Sequence, residues 1–293
     1  MQNISQMINT ITHQLSDVAG SKHAGQLEAW WLLEKLTGKK KVALLIEQTT
    51  TLTPEQEQQL EAWLHQRIKD RKPLQYILGL VPFCGLEILV EPPVLIPRPE
   101  TEEWVTWLIE QLKPVADKPL HILDLCSGSG CIALALAQAL PASVVIGLDI
   151  EPKAVALAEK NKQHNKVTNA QFKLSDLYHV LGTDQTFDLI VSNPPYITPE
   201  EFEKLSPEVQ LWEDKKALVA QKRGMEIYER IVQESPRFLT KSSVLTARNL
   251  PRIVLELGNF PEEVGGLLEG AGYSNIRLHQ DMQKSTRWVE GAV

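Results

Sequence analysis

Ile122-Leu123-Asp124-Leu125-Cys126-Ser127-Gly128-Ser129-Gly130 is the stretch that decides the fold. Its apolar start reads as a buried strand, its glycine-rich end as a tight turn, and Cys131 to Leu140 beyond it as an apolar helix. Glycines there let the main chain bend sharply and let a ligand approach the backbone without a Cβ in the way. Further strands are expected at Val144 to Asp149, Ala170 to Leu174, Phe187 to Ser192 and Ile253 to Leu257, with a helix over Pro152 to Asn165 and an irregular, partly helical region from Glu200 to Leu239. This alternation predicts an α/β fold with a parallel sheet, right-handed crossovers and helices on both faces. Ile276 to His279 and Thr286 to Val289 have only a short polar turn between them, so the sheet should end in an antiparallel hairpin.

Upstream, the texture is helical. Ile4, Met7, Ile8, Ile11, Leu15 and Val18 fall at helical spacing, and Leu27, Trp30, Trp31 and Leu33 mark a second apolar stripe. Thr53-Pro54-Glu55-Gln56 opens a further helix, with Thr53 as N-cap and Leu60, Trp63, Leu64 and Ile68 as its buried side. The expected organisation is a small all-α domain over residues 1–73, a linker with a short β-hairpin over 74–95, and an α/β domain over 96–293. Pro92, Pro93, Pro97 and Pro99 make a stiff extended connector, and Trp104, Trp107, Leu108 and Leu112 mark the helix after it.

Composition narrows the class. The net charge of −7 is mild, and residues 1–73 carry 9 Lys+Arg against 8 Asp+Glu, so no strongly basic face is implied. The three cysteines, Cys84, Cys126 and Cys131, form no Cys-x-x-Cys pair, which argues against a disulfide framework or a zinc site and fits a reducing, cytoplasmic setting. No Lys or Arg precedes Lys22, and the most apolar stretch, Cys131 to Leu148, is broken by Gln138 and Pro141, so neither a signal peptide nor a membrane span is expected.

Two stretches carry the chemistry. Phe187 to Ser192 ends abruptly in Asn193-Pro194-Pro195-Tyr196. Prolines donate no backbone hydrogen bond, and Pro195 keeps Pro194 extended, so carbonyl oxygens are left free to accept. The Asn193 side-chain oxygen and the Pro194 carbonyl then suit the two hydrogens of a planar NH2 group, with Tyr196 lying against its plane. Holding both hydrogens orients a nitrogen whose lone pair is delocalised and supports the charge that develops on it during attack. The second stretch is the glycine loop, Cys126, Ser127, Gly128, Ser129 and Gly130, with Asp149 ending the next strand 19 residues after Gly130, placed to accept ribose hydroxyls. Asp176 follows the third strand, either accepting from an adenine amine or capping a helix, and Leu177 could pack on the base. The loop does not spell the Gly-x-Gly-x-x-Gly of a pyrophosphate site, whereas S-adenosylmethionine carries no phosphate and brings a reactive methyl group.

These motifs, with Gln75-Tyr76-Ile77-Leu78-Gly79, Ile96-Pro97-Arg98-Pro99-Glu100-Thr101-Glu102, Asp281 and Arg287, make the chain resemble the HemK/PrmC family over nearly its whole length. That family comprises the protein-(glutamine-N5) methyltransferases of class 1 peptide chain release factors. The resemblance implies a seven-stranded, Rossmann-like class I methyltransferase sheet behind a helical domain that helps hold the release factor. It implies S-adenosyl-L-methionine binding by Cys126, Ser127, Gly128, Ser129, Gly130, Asp149, Asp176, Leu177 and Asn193. Glutamine recognition falls to Asn193, Pro194, Pro195 and Tyr196, with Asn193, Pro194 and Tyr196 catalytic and no metal. A monomer without membrane attachment or direct nucleic-acid binding is expected. Asn-Pro-Pro-Tyr also occurs in enzymes that methylate adenine N6 or guanine N2, so a nucleic-acid amino-methyltransferase is the alternative, and a non-catalytic ribosome or release-factor binding protein is the alternative from another class. Against the family pattern, Cys126 and Lys284 stand where glycines are usual, Pro261 replaces a glutamine, and Trp212-Glu213-Asp214 replaces Tyr-Glu-Pro.

Overall fold

The computed structural model describes residues 4–47 and 51–293; residues 1–3 and 48–50 of the expected helical region lie outside the described residues. The chain divides into two compact units, one made of the residues up to Gly79 together with Ser206–Trp212, the other of Leu80–Leu205 and Glu213–Val293.

The first unit is all helical, with helices Ile4–Leu15, Lys22–Thr37, Lys41–Ile46, Pro54–Ile68, Leu74–Leu78 and Pro207–Trp212. Ile4, Met7, Ile8, Ile11 and Leu15 are buried as their spacing predicts. The second stripe is corrected: Leu27 is 38% and Trp31 47% exposed, while Ala29, Trp30, Leu32 and Leu33 are buried. Close approach decides that face. A Cβ on Gly25 would lie 3.1 Å from both Ser16 N and Thr12 O, so the small residues Gly25 and Ala29 turn toward Ile4–Leu15, a preference that hydrophobicity alone does not reveal. Thr53 caps its helix as expected: its hydroxyl accepts from Gln56 N at 3.3 Å, and the Gln56 side chain accepts from Thr53 N at 3.0 Å.

Arg67, on the same helix, is buried and grips Glu28 through Nε and Nη2, both at 2.9 Å, and Glu208 through Nη1 at 3.1 Å. Arg71 adds a second contact to Glu208 at 2.8 Å. The Trp212 indole donates to Asp70 O at 2.8 Å, so the short helix Pro207–Trp212 is tied to this unit at both ends.

The second unit opens with an antiparallel hairpin, β1 (Leu80–Phe83) and β2 (Leu86–Leu89). Its seven-stranded sheet comprises β3 (His121–Leu125), β4 (Val144–Asp149), β5 (Ala170–Leu174), β6 (Leu189–Ser192), β7 (Ile253–Glu256), β8 (Ser274–Gln280) and β9 (Thr286–Ala292), in the order β5-β4-β3-β6-β7-β9-β8. β3 to β7 run parallel, and β9 runs antiparallel to both β7 and β8. The expected parallel sheet ending in a hairpin is observed. Helices Pro99–Leu112, Cys131–Ala139, Pro152–His164, Glu226–Phe238 and Pro261–Gly270 belong to this unit. Pro99, expected in the extended connector, is instead the first helical residue, a position where its missing N–H costs nothing. Phe187, expected within β6, forms only an isolated bridge to Leu239. The helix Pro261–Gly270 has no foreshadowing in the pattern, because Gly265 and Gly266 dilute its helical propensity; Pro261 sits in its first turn, which accounts for a proline at that position.

The strand order reverses between β3 and β6, and this is what places the site. β3 leads to β4 and β5 on one side, while β6 and β7 lie on the other, so the carboxyl ends of β3 and β6 splay a crevice between them. Register sharpens the point: Leu125 pairs with Leu148 and with Ser192, so Cys126, Asp149 and Asn193 leave the sheet side by side. Among the described residues no helix is long and apolar enough to cross a membrane.

The β8–β9 turn is built on Asp281, whose carboxylate accepts from Gln283 N and Ser285 N, each at 2.9 Å, and from Arg287 Nε at 3.1 Å. Lys284, where the resemblance leads to the expectation of a glycine, takes φ +65°, a left-handed conformation that penalises any residue with a Cβ. Lys284→Gly is therefore expected to stabilise the protein by about 1 kcal/mol, read as a raised melting temperature; an unchanged or lowered one contradicts this account of the turn. Arg67→Leu should destabilise by about 3–5 kcal/mol in urea unfolding, since Glu28 loses both bonds from Arg67 and Glu208 keeps only Arg71. Burial pushes the Glu208 carboxyl up, but its backbone bond, Arg67 and Arg71 outweigh that and hold it below the ordinary carboxylate range. The stability it contributes is present above the unfolded carboxylate pKa and is lost as pH falls through the depressed folded value, so the gap between wild type and Arg67→Leu should narrow in acid. A gap that is constant with pH would remove Glu208 from the argument.

Candidate active site

The loop after β3 turns on three left-handed residues, Cys126 at φ +59°, Gly128 at +53° and Gly130 at +80°. Cys126 thus holds the conformation that glycine would adopt without strain, and the turn survives the substitution. Ser127 N donates to Leu148 O at 3.0 Å, and Gly130 N closes onto Ser127 O at 2.8 Å. The Phe172 ring of β5 fills the space over Gly147 and Gly130, where added Cβ atoms would come within 2.5 Å and 2.7 Å of it. A Cβ at Gly128 meets nothing within 4 Å, so this residue faces open space. Burial, helped by the nearby Asp149 charge, pushes the Cys126 thiol well above its ordinary range, so it offers no thiolate nucleophile.

Asp149 clamps this loop to the end of β4. Its Oδ2 accepts from Gly128 N at 2.8 Å and its Oδ1 from Glu151 N at 2.9 Å. Burial raises its pKa, while these backbone bonds pull the other way. Each oxygen keeps a lone-pair direction for a ligand hydroxyl.

A cavity of about 260 Å³ lies at this edge of the sheet. Cys126, Gly128, Asp149, Asp176, Leu177, Asn193 and Pro195 line it. Ser127 and Ser129 are buried within the loop, and they, Gly130, Pro194 and Tyr196 do not line the cavity. No helix begins after Asp176, so the capping alternative for that residue is not realised; its carboxylate instead accepts from Arg230 at 2.8 Å. Leu177 is buried and lines the cavity. Pro93, Val94 and Leu95 close one side, and Asp214, Lys216 and Val219 another. These wall residues, with Glu151 and Arg230, escape sequence reasoning because they come from four separate stretches of the chain. The one available signal was the position of Glu151 just beyond Asp149. Among the described residues, no group of three or more His, Cys, Asp or Glu side chains could hold a metal ion.

Asn193 and Tyr196 are fixed from the other side. Asn193 Nδ2 donates to Thr101 Oγ1 at 3.2 Å, and the Tyr196 hydroxyl donates to Glu256 Oε1 at 3.3 Å. Glu256, buried at the end of β7, also accepts from Thr101 Oγ1 at 2.7 Å and Trp104 Nε1 at 2.8 Å. Burial and the adjacent Glu256 charge push the Tyr196 hydroxyl up, so it remains a donor. Two glycines grip the same tyrosine: a Cβ at Gly258 would lie 2.5 Å from its ring, and one at Gly224 would lie 2.2 Å from its carbonyl oxygen. Among the described residues no donor is bonded to the Pro194 carbonyl, which is left able to accept.

The chain can now be set beside known proteins. Residues 6–79 match the PrmC N-terminal domain, and residues 116–283 match a methyltransferase domain family. A release factor glutamine methyltransferase of Geobacter sulfurreducens is 38% identical over 269 residues, covering 92% of this chain and 89% of the relative. The protein of that name from Escherichia coli K12 is 40% identical over 215 residues, covering 73% and 75% of the two chains. Among solved structures, the hMettl16 catalytic domain in complex with an RNA hairpin superposes with a TM-score of 0.55 at 16% identity over 82% of each chain, a likeness of fold. With its sheet, its two site motifs and both family matches in agreement, the chain belongs to the release factor glutamine methyltransferase family.

Proposed function

We propose that this chain transfers a methyl group from S-adenosyl-L-methionine to the side-chain amide nitrogen of the glutamine in the Gly-Gly-Gln motif of a class 1 release factor. The observation that carries the reading is the pair of acceptors at the end of β6: the Asn193 carboxamide, whose NH2 is already engaged by Thr101 and which lines the cavity, and the Pro194 carbonyl, to which no donor is bonded among the described residues.

The cavity suits the methyl donor. Gly128 leaves its backbone open to a ligand, and both Asp149 oxygens are pinned by backbone N–H groups with capacity left for ribose hydroxyls. Val94, Leu95, Leu177 and Pro195 give apolar walls to a planar base. The cations among the lining residues are paired, Lys216 with Glu151 at 3.7 Å and Arg230 with Asp176 at 2.8 Å, which favours a ligand without phosphate. When bound, S-adenosylmethionine supplies a methyl group on a positively charged sulfur.

The chain's own groups do the positioning. Asn193 Oδ1 and the Pro194 carbonyl take the two amide hydrogens of the substrate glutamine, aim its nitrogen toward the cavity, and support the positive charge that grows on it. Tyr196 packs against the amide plane, its ring held from behind by Gly258. The methylated nitrogen is then acidic enough to lose its extra proton to water without a strong base. A nucleic-acid amine would fit the same acceptors, but the match of residues 6–79 to the PrmC N-terminal domain favours a protein substrate.

Asn193→Ala is expected to lower turnover by more than about 100-fold while unfolding and most cofactor affinity stay near wild type; normal turnover would refute the site. Asp149→Ala should weaken S-adenosylmethionine binding by about tenfold or more in calorimetry, and unchanged affinity would refute its role at the ribose.

A further inference from the structure

We infer that Thr101 and Glu256 are positioning residues that set the side-chain amide of Asn193, forming a one-way relay of hydrogen bonds that leaves the Asn193 oxygen free for the substrate. The inference rests on the proposed role of Asn193 as acceptor for the substrate's NH2 group.

The polarity follows from counting donors. An indole N–H can only donate, so Glu256 Oε2, which meets Trp104 Nε1 at 2.8 Å, acts as an acceptor. Thr101 reaches the same oxygen at 2.7 Å and has one hydroxyl proton, which is used there. Thr101 Oγ1 can then offer only lone pairs to Asn193, 3.2 Å away, and the only group of Asn193 that matches them is its NH2. Asn193 Oδ1 must therefore point away from Thr101. Three donors already converge on the Glu256 carboxylate, the third being the Tyr196 hydroxyl on Oε1 at 3.3 Å, so it needs no proton of its own. The reversed amide would face Thr101 oxygen to oxygen and would present N–H groups to the N–H groups of the substrate.

The fold supplies this relay from two distant places. Thr101 and Trp104 lie three residues apart in the helix Pro99–Leu112 and so share one face, from which both reach Oε2. Glu256 ends β7, which pairs in parallel with β6, the strand that delivers Asn193. The proline-rich stretch Ile96 to Glu102 reaches the expected site residues through the bond between Thr101 and Asn193, and this relay gives its threonine a chemical role.

The experiment measures methyl transfer to an unmodified release factor by wild type, Thr101→Val, Thr101→Ser, Glu256→Gln and Glu256→Leu, with cofactor affinity by calorimetry and thermal unfolding beside it. Thr101→Val keeps the shape but removes the hydroxyl; its kcat should fall about 10- to 100-fold, with cofactor affinity and KM close to wild type. Thr101→Ser should restore kcat. Glu256→Gln should keep most activity, because its amide oxygen can accept from Trp104 and Thr101 while its NH2 faces Tyr196, and Glu256→Leu should lose it. Wild-type kcat in Thr101→Val, or equal impairment of folded Thr101→Ser and Thr101→Val, overturns the relay. Should Thr101→Val fail to fold, Glu256→Gln decides: activity supports the relay, and a folded but inactive protein overturns it. A wild type that transfers no methyl to the factor overturns the functional reading and this inference together, whereas an active wild type matched by Thr101→Val overturns the inference alone.

Discussion

A buried carboxylate keeps its charge only where donors converge on it, and at Glu256 three donors arrive from two distant parts of the chain. Thr101 and Trp104 come from the helix that follows the proline-rich connector, and Tyr196 from the segment that leaves β6. The Tyr228 hydroxyl donates to the backbone oxygen of the same residue at 2.7 Å and accepts from Gly258 N at 3.2 Å, which locks the end of β7 as well. Removing Glu256 from water thus defines where Asn193 and Tyr196 stand. Burial raises its pKa above the ordinary carboxylate range, and the bonds from Thr101 and Trp104 offset part of that rise.

The second constraint is topological. Because the strand order reverses between the parallel neighbours β3 and β6, the glycine loop and Asn193 emerge beside each other at the carboxyl edge, with Asp149 one strand further along. Asp149 joins loop and strand through two backbone N–H groups, and Phe172 lies against Gly147 and Gly130. The cavity is therefore bordered by backbone that the sheet holds in place, which suits a site whose chemistry depends on orientation rather than on a perturbed acid or base.

Much of this was legible in the chain itself. The alternation from Ile122 onward spelled the parallel strands, and the short polar turn near Asp281 spelled the final hairpin. Thr53 and Gln56 announced their capping box, because a cap is local chemistry within four residues. What stayed hidden depends on partners far apart in sequence. Thr101 and Glu256 are 155 residues apart and Arg67 and Glu208 are 141, and no periodicity reports such pairings. Gly25 and Ala29 hid the true inner face of Lys22–Thr37, since close packing selected small residues over Leu27 and Trp31. Cys126 and Lys284 looked like departures from the family's glycines, yet both residues hold the left-handed conformation that a glycine would take.

The most direct test of the account is methyl transfer from labelled S-adenosylmethionine to a purified, unmodified release factor, read by mass spectrometry of the peptide that carries its Gly-Gly-Gln motif. A Gln→Ala variant of that motif and a duplex DNA serve as parallel acceptors. The account predicts one methyl group on the glutamine side-chain nitrogen of the intact factor and none on the variant or the DNA. Methyl groups on DNA, or an unmodified glutamine after prolonged incubation with active enzyme, would contradict it.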